Sequence, residues 1–297
     1  RFPSYIAMSE LAIGDEAVRQ NLAEYKLKKL SEAFDEEEDT DWLKKLTFTP
    51  KGKIEPTIDN VLIILTHDPE LKGKYYYDEF KSKPIVCGDL PWIKLDEREG
   101  EAWIDSDDAG VRQLIERKYD IDNLSKIRDA VDLAMLKSKR HPVRDYLNSL
   151  VWDGTKRADS LFIDYLGAED TAYVKEVTRR ALIGAVARIM KPGCKHDHIL
   201  VLVGPQGCRK STTLAKLGKS WFSDSLYTLT GKEAYEQLQG YWIIEMGEMA
   251  ATRKAEIEQI KQFISKKSDN FRSAYARRTE DQSLDRKSGS AGMPRPI

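Results

Sequence analysis

Apolar residues recur at helical spacing through most of the first two-thirds of the chain, then gather into short, dense runs. Leu22, Tyr25, Leu27 and Leu30 form a partial stripe in a polar stretch, so residues 1–45 read as helical. The acidic run Asp35–Asp39 reads as a solvated linker or helix end, since like charges in a block repel. Ile58, Val61, Leu62, Ile63, Ile64 and Leu65 predict a short core helix with Thr57 as its cap. Two short strands are expected at 75–80 and 84–87, around Lys81-Ser82-Lys83. Helices follow at 105–119, 125–137, 142–149, 157–166 and 171–190, the last ended by Pro192-Gly193.

From about residue 193 the pattern changes. Strands at 199–203, 221–226 and 241–246 alternate with helices at 210–217, 231–239 and 254–265. This predicts a parallel sheet covered on both faces. The last residues, 282–297, have almost no apolar content and read as disordered. The expected organisation is a mainly helical region over 1–192, with room for an inner boundary near 140, then an α/β unit over 193–281, then the tail.

Composition changes this picture little. At 297 residues the chain is long enough for about two cores. No apolar run reaches the ~20 residues of a membrane span. No basic-then-apolar start suggests a secretory signal, and a first residue of Arg1 rather than Met leaves room for a missing N-terminus. Cys87, Cys194 and Cys208 are odd in number and far apart, which points to a reducing, cytoplasmic setting without a disulfide framework. A formal net charge of −1 is silent on nucleic acid, but its distribution is not.

The chemistry concentrates in Gly204-Pro205-Gln206-Gly207-Cys208-Arg209-Lys210-Ser211. An apolar strand, a Gly-rich loop, Lys-Ser and a helix follow one another in the order of a phosphate-binding P-loop. Loop and helix amides, Gly204 to Thr212, would face phosphate oxygens, and the helix dipole favours the same anion. Lys210 would reach the outer phosphates of ATP, and Ser211 would ligate Mg²⁺. The full pattern asks for Gly immediately before the Lys, where Arg209 stands. Gly there permits positive φ and close backbone approach. Arg209 therefore either weakens nucleotide binding or is accommodated and adds positive charge.

Tyr241 to Glu248 is a second signal, an apolar strand ending in two carboxylates. Glu245 is assigned to the metal and Glu248 to the attacking water, with the reverse also possible. A third signal is the run 261–278, in which Lys266, Lys267, Arg272, Arg277 and Arg278 alternate with Phe271 and Tyr275. Cations there can hold phosphates while aromatic faces stack on unpaired bases, although a solvated basic hairpin has the same composition. Arg277 or Arg278 could instead serve ATP on a neighbouring subunit. His196 and His198 lack the further ligands of a zinc site. Cys208 could be reactive at a helix N-terminus, though a small filler residue reads the same. Asp105, Asp107 and Asp108 precede a helix and read as capping rather than as a metal cluster.

Taken together these residues resemble the virulence-associated protein E family, P-loop ATPases of phages and mobile elements related to superfamily 3 helicases and often joined to a primase. The likeness is carried by His141-Pro142-Val143-Arg144-Asp145-Tyr146-Leu147, Leu150-Val151-Trp152-Asp153-Gly154, Tyr165-Leu166-Gly167 and the P-loop. It continues through Trp221-Phe222-Ser223-Asp224, Gly231-Lys232, Trp242-Ile243-Ile244-Glu245 and Ala274-Tyr275-Ala276-Arg277-Arg278. The resemblance implies an AAA+-like ATPase core, ATP and Mg²⁺ as cofactors, Lys210, Ser211 and Glu245 as site residues, and a ring of subunits. It also implies single-stranded DNA held by the basic hairpin Lys266–Arg278, and a primase or other replication protein as partner. The family continues beyond Asp281 into an apolar strand ending in a sensor Asn, then a stretch supplying an arginine finger, and neither is found here. The expected protein is thus α/β, a mainly helical N-terminal region before an incomplete AAA+-like domain. It is either a helicase-like ATPase or a non-hydrolysing DNA-binding or regulatory remnant of one. A small-molecule P-loop kinase would need an acceptor lid, which the sequence does not supply.

Overall fold

The computed structural model describes residues 16–34, 39–98, 100–196, 198–226, 237–246, 268–271, 280–283 and 289–291. They form two compact units, one comprising the described residues up to Asp78 with Lys83–Arg140, the other Glu79–Ser82 with those from His141 onward. Among the described residues no helix is long and apolar enough to cross a membrane.

The first unit opens with α1 (Glu16–Ser31) and a 3-10 turn at Asp41–Lys45. Helix α2 (Ile58–His67) starts where expected, because Thr57 is extended and its hydroxyl accepts the Asn60 N–H at 3.2 Å. Its Val61, Ile64 and Leu65 pack with Val111, Ile115 and Tyr119 of α3 (Asp105–Tyr119) and with Ile127, Ala130 and Ala134 of α4 (Leu124–Lys137). Strands β1 (Tyr75–Asp78) and β2 (Lys83–Val86) form an antiparallel hairpin. The two-residue β3 (Lys139–Arg140), which the sequence pattern does not reveal, lies parallel on the other side of β1.

The three aspartates lie in the first turn of α3 rather than before it, with Ile104 as the cap, and two of them, Asp107 and Asp108, tie the helix start to its surroundings. Asp107 accepts the Ile104 N–H at 2.9 Å, the Trp92 indole N–H at 3.0 Å and a two-pronged donation from Arg98, both at 2.8 Å. Burial pushes its carboxyl up, but these donors and the Arg98 charge outweigh burial and hold it below its ordinary value. Asp108 accepts from the Trp103 indole.

In the second unit Pro142 opens α5 (Pro142–Ser149), and His141 Nδ1 accepts the Arg144 N–H at 3.2 Å. Helix α6 is shorter than the expected 157–166 and runs only from Leu161 to Leu166. Arg157 is held instead by a fork to Asp153, which keeps the preceding residues in a turn. Helix α7 (Ala172–Met190) is capped by Thr171 and lies along the expected residues.

The sheet of this unit has the order β4–β9–β6–β5, all parallel. Its strands are β4 (Leu200–Val201), β5 (Phe222–Ser223), β6 (Ile243–Met246) and β9 (Gly289–Ala291). They are shorter than the apolar runs that predict them, because a ladder extends only as far as its partner strand does. On one face, Ile243 and Leu202 pack with Ala185 and Ile189 of α7 and Leu214 of α8 (Lys210–Gly218). On the other, Ile244 packs with Leu238, while Val201 of β4 and the nearby Val203 are exposed. The Trp242 indole N–H donates to Ala185 O at 3.0 Å and pins the start of β6 to α7.

Two strands lie in the stretch read as a disordered tail or its border. β8 (Glu280–Ser283) pairs antiparallel with β7 (Ser268–Phe271), and β9 fills the sheet position between β4 and β6. The reading of residues 282–297 as disordered fails at Gly289–Ala291. A Gly-Ser-Ala segment shows no apolar alternation to read, yet its backbone can pair on both sides. Of the helix expected at 231–239, residues 237–240 form turns and 231–236 lie outside the described residues. The helix expected at 254–265 lies wholly outside them.

Candidate functional site

Parallel strands point their carboxyl ends the same way, and in open α/β sheets ligands bind beyond those ends. β4 and β6, joined through β9, lead respectively into the Gly-rich loop and to Glu245. The loop closes on itself: a Cβ on Gly204 would stand 3.3 Å from Cys208 Sγ. Gly207 has φ +83.

Arg209 is the N-cap of α8, at φ 64 and ψ 26 in the left-handed region. An Arg there adopts the conformation that the P-loop pattern assigns to Gly, at a cost of about 1–2 kcal/mol. The turn is held from within the helix, since Thr213 donates to Arg209 O through both its N–H and its hydroxyl, each at 3.0 Å. The Arg209 side chain is exposed.

Lys210 folds back over the loop. Its ammonium donates to Gly204 O and Pro205 O, both at 2.9 Å, and to Cys208 Sγ at 3.3 Å. The three donors of the group thus spread over the concave side of the loop. Sequence reasoning does not give this arrangement, because carbonyl direction is a property of the closed turn. Thr212, one residue past Ser211, is exposed on the first turn of α8.

Ser211 and Glu245, 34 residues apart, meet directly: the Ser211 hydroxyl donates to Glu245 Oε1 at 2.7 Å. Glu245 Oε2 is buried and has no hydrogen-bond partner among the described residues. A buried carboxylate oxygen without a donor is costly, on the order of 1–3 kcal/mol. A hydroxyl and a carboxylate side by side are hard oxygen ligands of the kind Mg²⁺ takes, so the donor set fits that ion.

The other expected site residues fall differently. Glu248 lies outside the described residues, two positions past the end of β6. Phe271 ends β7, paired with Glu280 of β8, and the segment joining these two strands carries Arg272, Tyr275, Arg277 and Arg278. Those four, with Lys266 and Lys267, lie outside the described residues. His196 and His198 have ring centroids 5.7 Å apart, and the His196 ring packs on Gly184, where a Cβ would come within 2.2 Å of it. Among the described residues no group of three or more His, Cys, Asp or Glu side chains is placed to hold a metal.

The family model for the virulence-associated protein E-like domain matches residues 147–287. No curated protein matches the chain. The Gly-rich loop, the Ser211–Glu245 pair and the β7–β8 hairpin all lie inside the matched span, and the chain carries a virulence-associated protein E-like domain.

Proposed function

We propose that this chain is a helicase-like P-loop ATPase of phage or mobile-element DNA replication, acting in the cytoplasm on single-stranded DNA. The observation that supports it most is the Ser211–Glu245 contact, with the second carboxylate oxygen buried and without a partner among the described residues. It lies at the carboxyl ends of two parallel strands, next to a loop whose lysine is turned inward.

In this reading Lys210 exchanges loop carbonyls for the outer phosphates of ATP. The loop amides and the N-terminus of α8 hold the same oxygens. Ser211 and Glu245 hold Mg²⁺, which when bound neutralises charge on the phosphates. Glu248 orients the attacking water. The β7–β8 hairpin carries the cations and aromatics that grip DNA, with phosphate contacts from Lys266, Lys267 and Arg272 and stacking from Phe271 and Tyr275. Subunits of a ring and a primase are the expected partners.

A second reading keeps the architecture without turnover: a DNA-binding or regulatory relative that caps rings of intact homologues. The observation that favours it is Arg209 at positive φ, where a Cβ narrows the approach of backbone to phosphate. ATP turnover with and without single-stranded DNA separates the two. The ATPase reading expects turnover that rises with DNA and vanishes in Lys210→Ala. Turnover equal to that of Lys210→Ala would leave the second reading.

A further inference from the structure

The tip of the β1–β2 hairpin belongs to the core of the second unit. The two strands close at the Asp78–Lys83 pair, and the four residues between them, Glu79–Ser82, group with His141 onward rather than with their own strands. Phe80 is 0% exposed there, in one apolar cluster with Val143, Ala185, Ile189 and Trp242. Its ring centroid lies 5.3 Å from that of His141. Ser82 turns the chain back at φ 52, in the left-handed region, so the tip is a shaped turn rather than a slack one.

The tip meets the entry to β6. Lys81 lies against Gly240, where a Cβ would stand 3.0 Å from Lys81 Cγ. Two residues on, Trp242 is held twice: its indole N–H donates to Ala185 O at 3.0 Å, and its backbone N–H donates to Trp221 O at 2.7 Å. Three residues further stands Glu245, on a strand of only four residues. At about 3.3 Å per residue, the carboxylate is roughly 10 Å along the chain from the packed Trp242. Close-packed interiors transmit displacement over such distances. Mg²⁺ demands near-ideal octahedral geometry, so a small shift of a ligand matters to it.

We infer that Phe80 is a positioning residue for the nucleotide site: its burial fixes the start of β6, and with it the place of the Glu245 carboxylate. This rests on the reading of Ser211 and Glu245 as Mg²⁺ ligands. It adds that the site depends on a hairpin tip more than a hundred residues upstream of the Gly-rich loop.

The test compares the full natural chain with Phe80→Leu, Phe80→Val and Phe80→Ala, a series that removes the ring and then progressively more of the side chain. Val61→Ala, in the core of the first unit, is the control for a destabilising cavity elsewhere. Circular dichroism checks folding, and the Leu and Val forms carry the comparison if the Ala form does not fold. Two quantities are measured. One is amide hydrogen exchange across 242–246 without nucleotide, which is expected to quicken roughly tenfold or more in Phe80→Ala and little in Phe80→Leu. The other is the Mg²⁺ concentration at half-maximal ATP binding, by calorimetry. It is expected to rise roughly tenfold in Phe80→Ala, as for a residue that supports a metal ligand from behind, and to return towards the natural value in Phe80→Leu. ATP affinity without Mg²⁺ should stay the same throughout, and Val61→Ala should move neither quantity.

Unchanged exchange across 242–246 in Phe80→Ala would overturn the inference whatever the nucleotide result. Faster exchange with an unmoved Mg²⁺ midpoint would make Phe80 an ordinary core residue and overturn it equally. A natural chain with no Mg²⁺-dependent ATP binding would defeat the nucleotide reading, and the positioning role with it.

Discussion

The Ser211 hydroxyl on the first turn of α8 and the Glu245 carboxylate on β6 meet at 2.7 Å, and the other oxygen of that carboxylate is buried without a donor among the described residues. A structural hydrogen bond would be better served by Gln, whose amide brings no buried charge. Retention of a charge at that point makes sense for a cation ligand. Replacing Glu245 by Gln is therefore expected to do two opposite things. It should stabilise the protein without ligand by about 1 kcal/mol, a rise of a few degrees in Tm. It should also lower ATP turnover by roughly 10²-fold or more. Thermal unfolding and a turnover assay on the same preparation check both, and a variant less stable than the natural chain would count against a metal-ligand role.

Arg209 holds the left-handed conformation that the loop needs, so the strain is met in the fold itself. Arg209→Gly relieves about 1–2 kcal/mol of backbone strain and adds unfolded-state freedom of similar size. Stability should hardly change. Without the Cβ, the loop amides can approach phosphate more closely, and Mg²⁺-ATP affinity is expected to rise roughly tenfold. A titration showing weaker binding by the Gly form would mean that the guanidinium contributes to phosphate binding.

Asp107 anchors the N-terminal unit chemically. Its side chain is 0% exposed and that of its partner Arg98 is 4% exposed. Asp107→Ala strands a buried guanidinium and should cost about 3–5 kcal/mol. Because the folded carboxyl titrates below its ordinary value, its contribution is present above the unfolded pKa, about 4. It is lost as pH falls through the folded pKa. Urea midpoints of the natural and Ala forms should therefore differ widely near neutrality and converge in acid. A gap independent of pH would show that packing rather than charge sets the cost.

The DNA assignment predicts a salt signature. Replacing Lys266, Lys267 and Arg272 together by Ala should weaken single-strand binding and reduce the slope of log affinity against log salt by roughly 2. Fluorescence anisotropy with labelled oligonucleotides reads both. Unchanged affinity would remove the hairpin from the DNA interface.

Much of this was legible in the sequence where the signal is local. The strand–loop–helix order around Lys210, the apolar run ending in Glu245 and the Thr57 cap each lie within a few residues, and the structure has them in place. Contacts that depend on closure were not legible. The inward turn of Lys210 needs the carbonyls of Gly204 and Pro205 to converge, and the seat of His196 on Gly184 needs two elements to meet. β3 and β9 escaped because two or three residues of Lys-Arg or Gly-Ser-Ala carry no alternation. Helix α6 was overextended because the pattern could not show that Arg157 is tied to Asp153.

The most direct measurement of the central claim is calorimetric titration of the natural chain with Mg²⁺-ATP beside Lys210→Ala. Loss of a charged hydrogen-bond donor from a phosphate site should weaken binding by roughly tenfold or more. Tighter binding by the natural chain is the predicted result. Equal affinities, or heat from neither protein, would contradict the assignment of Gly204–Ser211 as a nucleotide site.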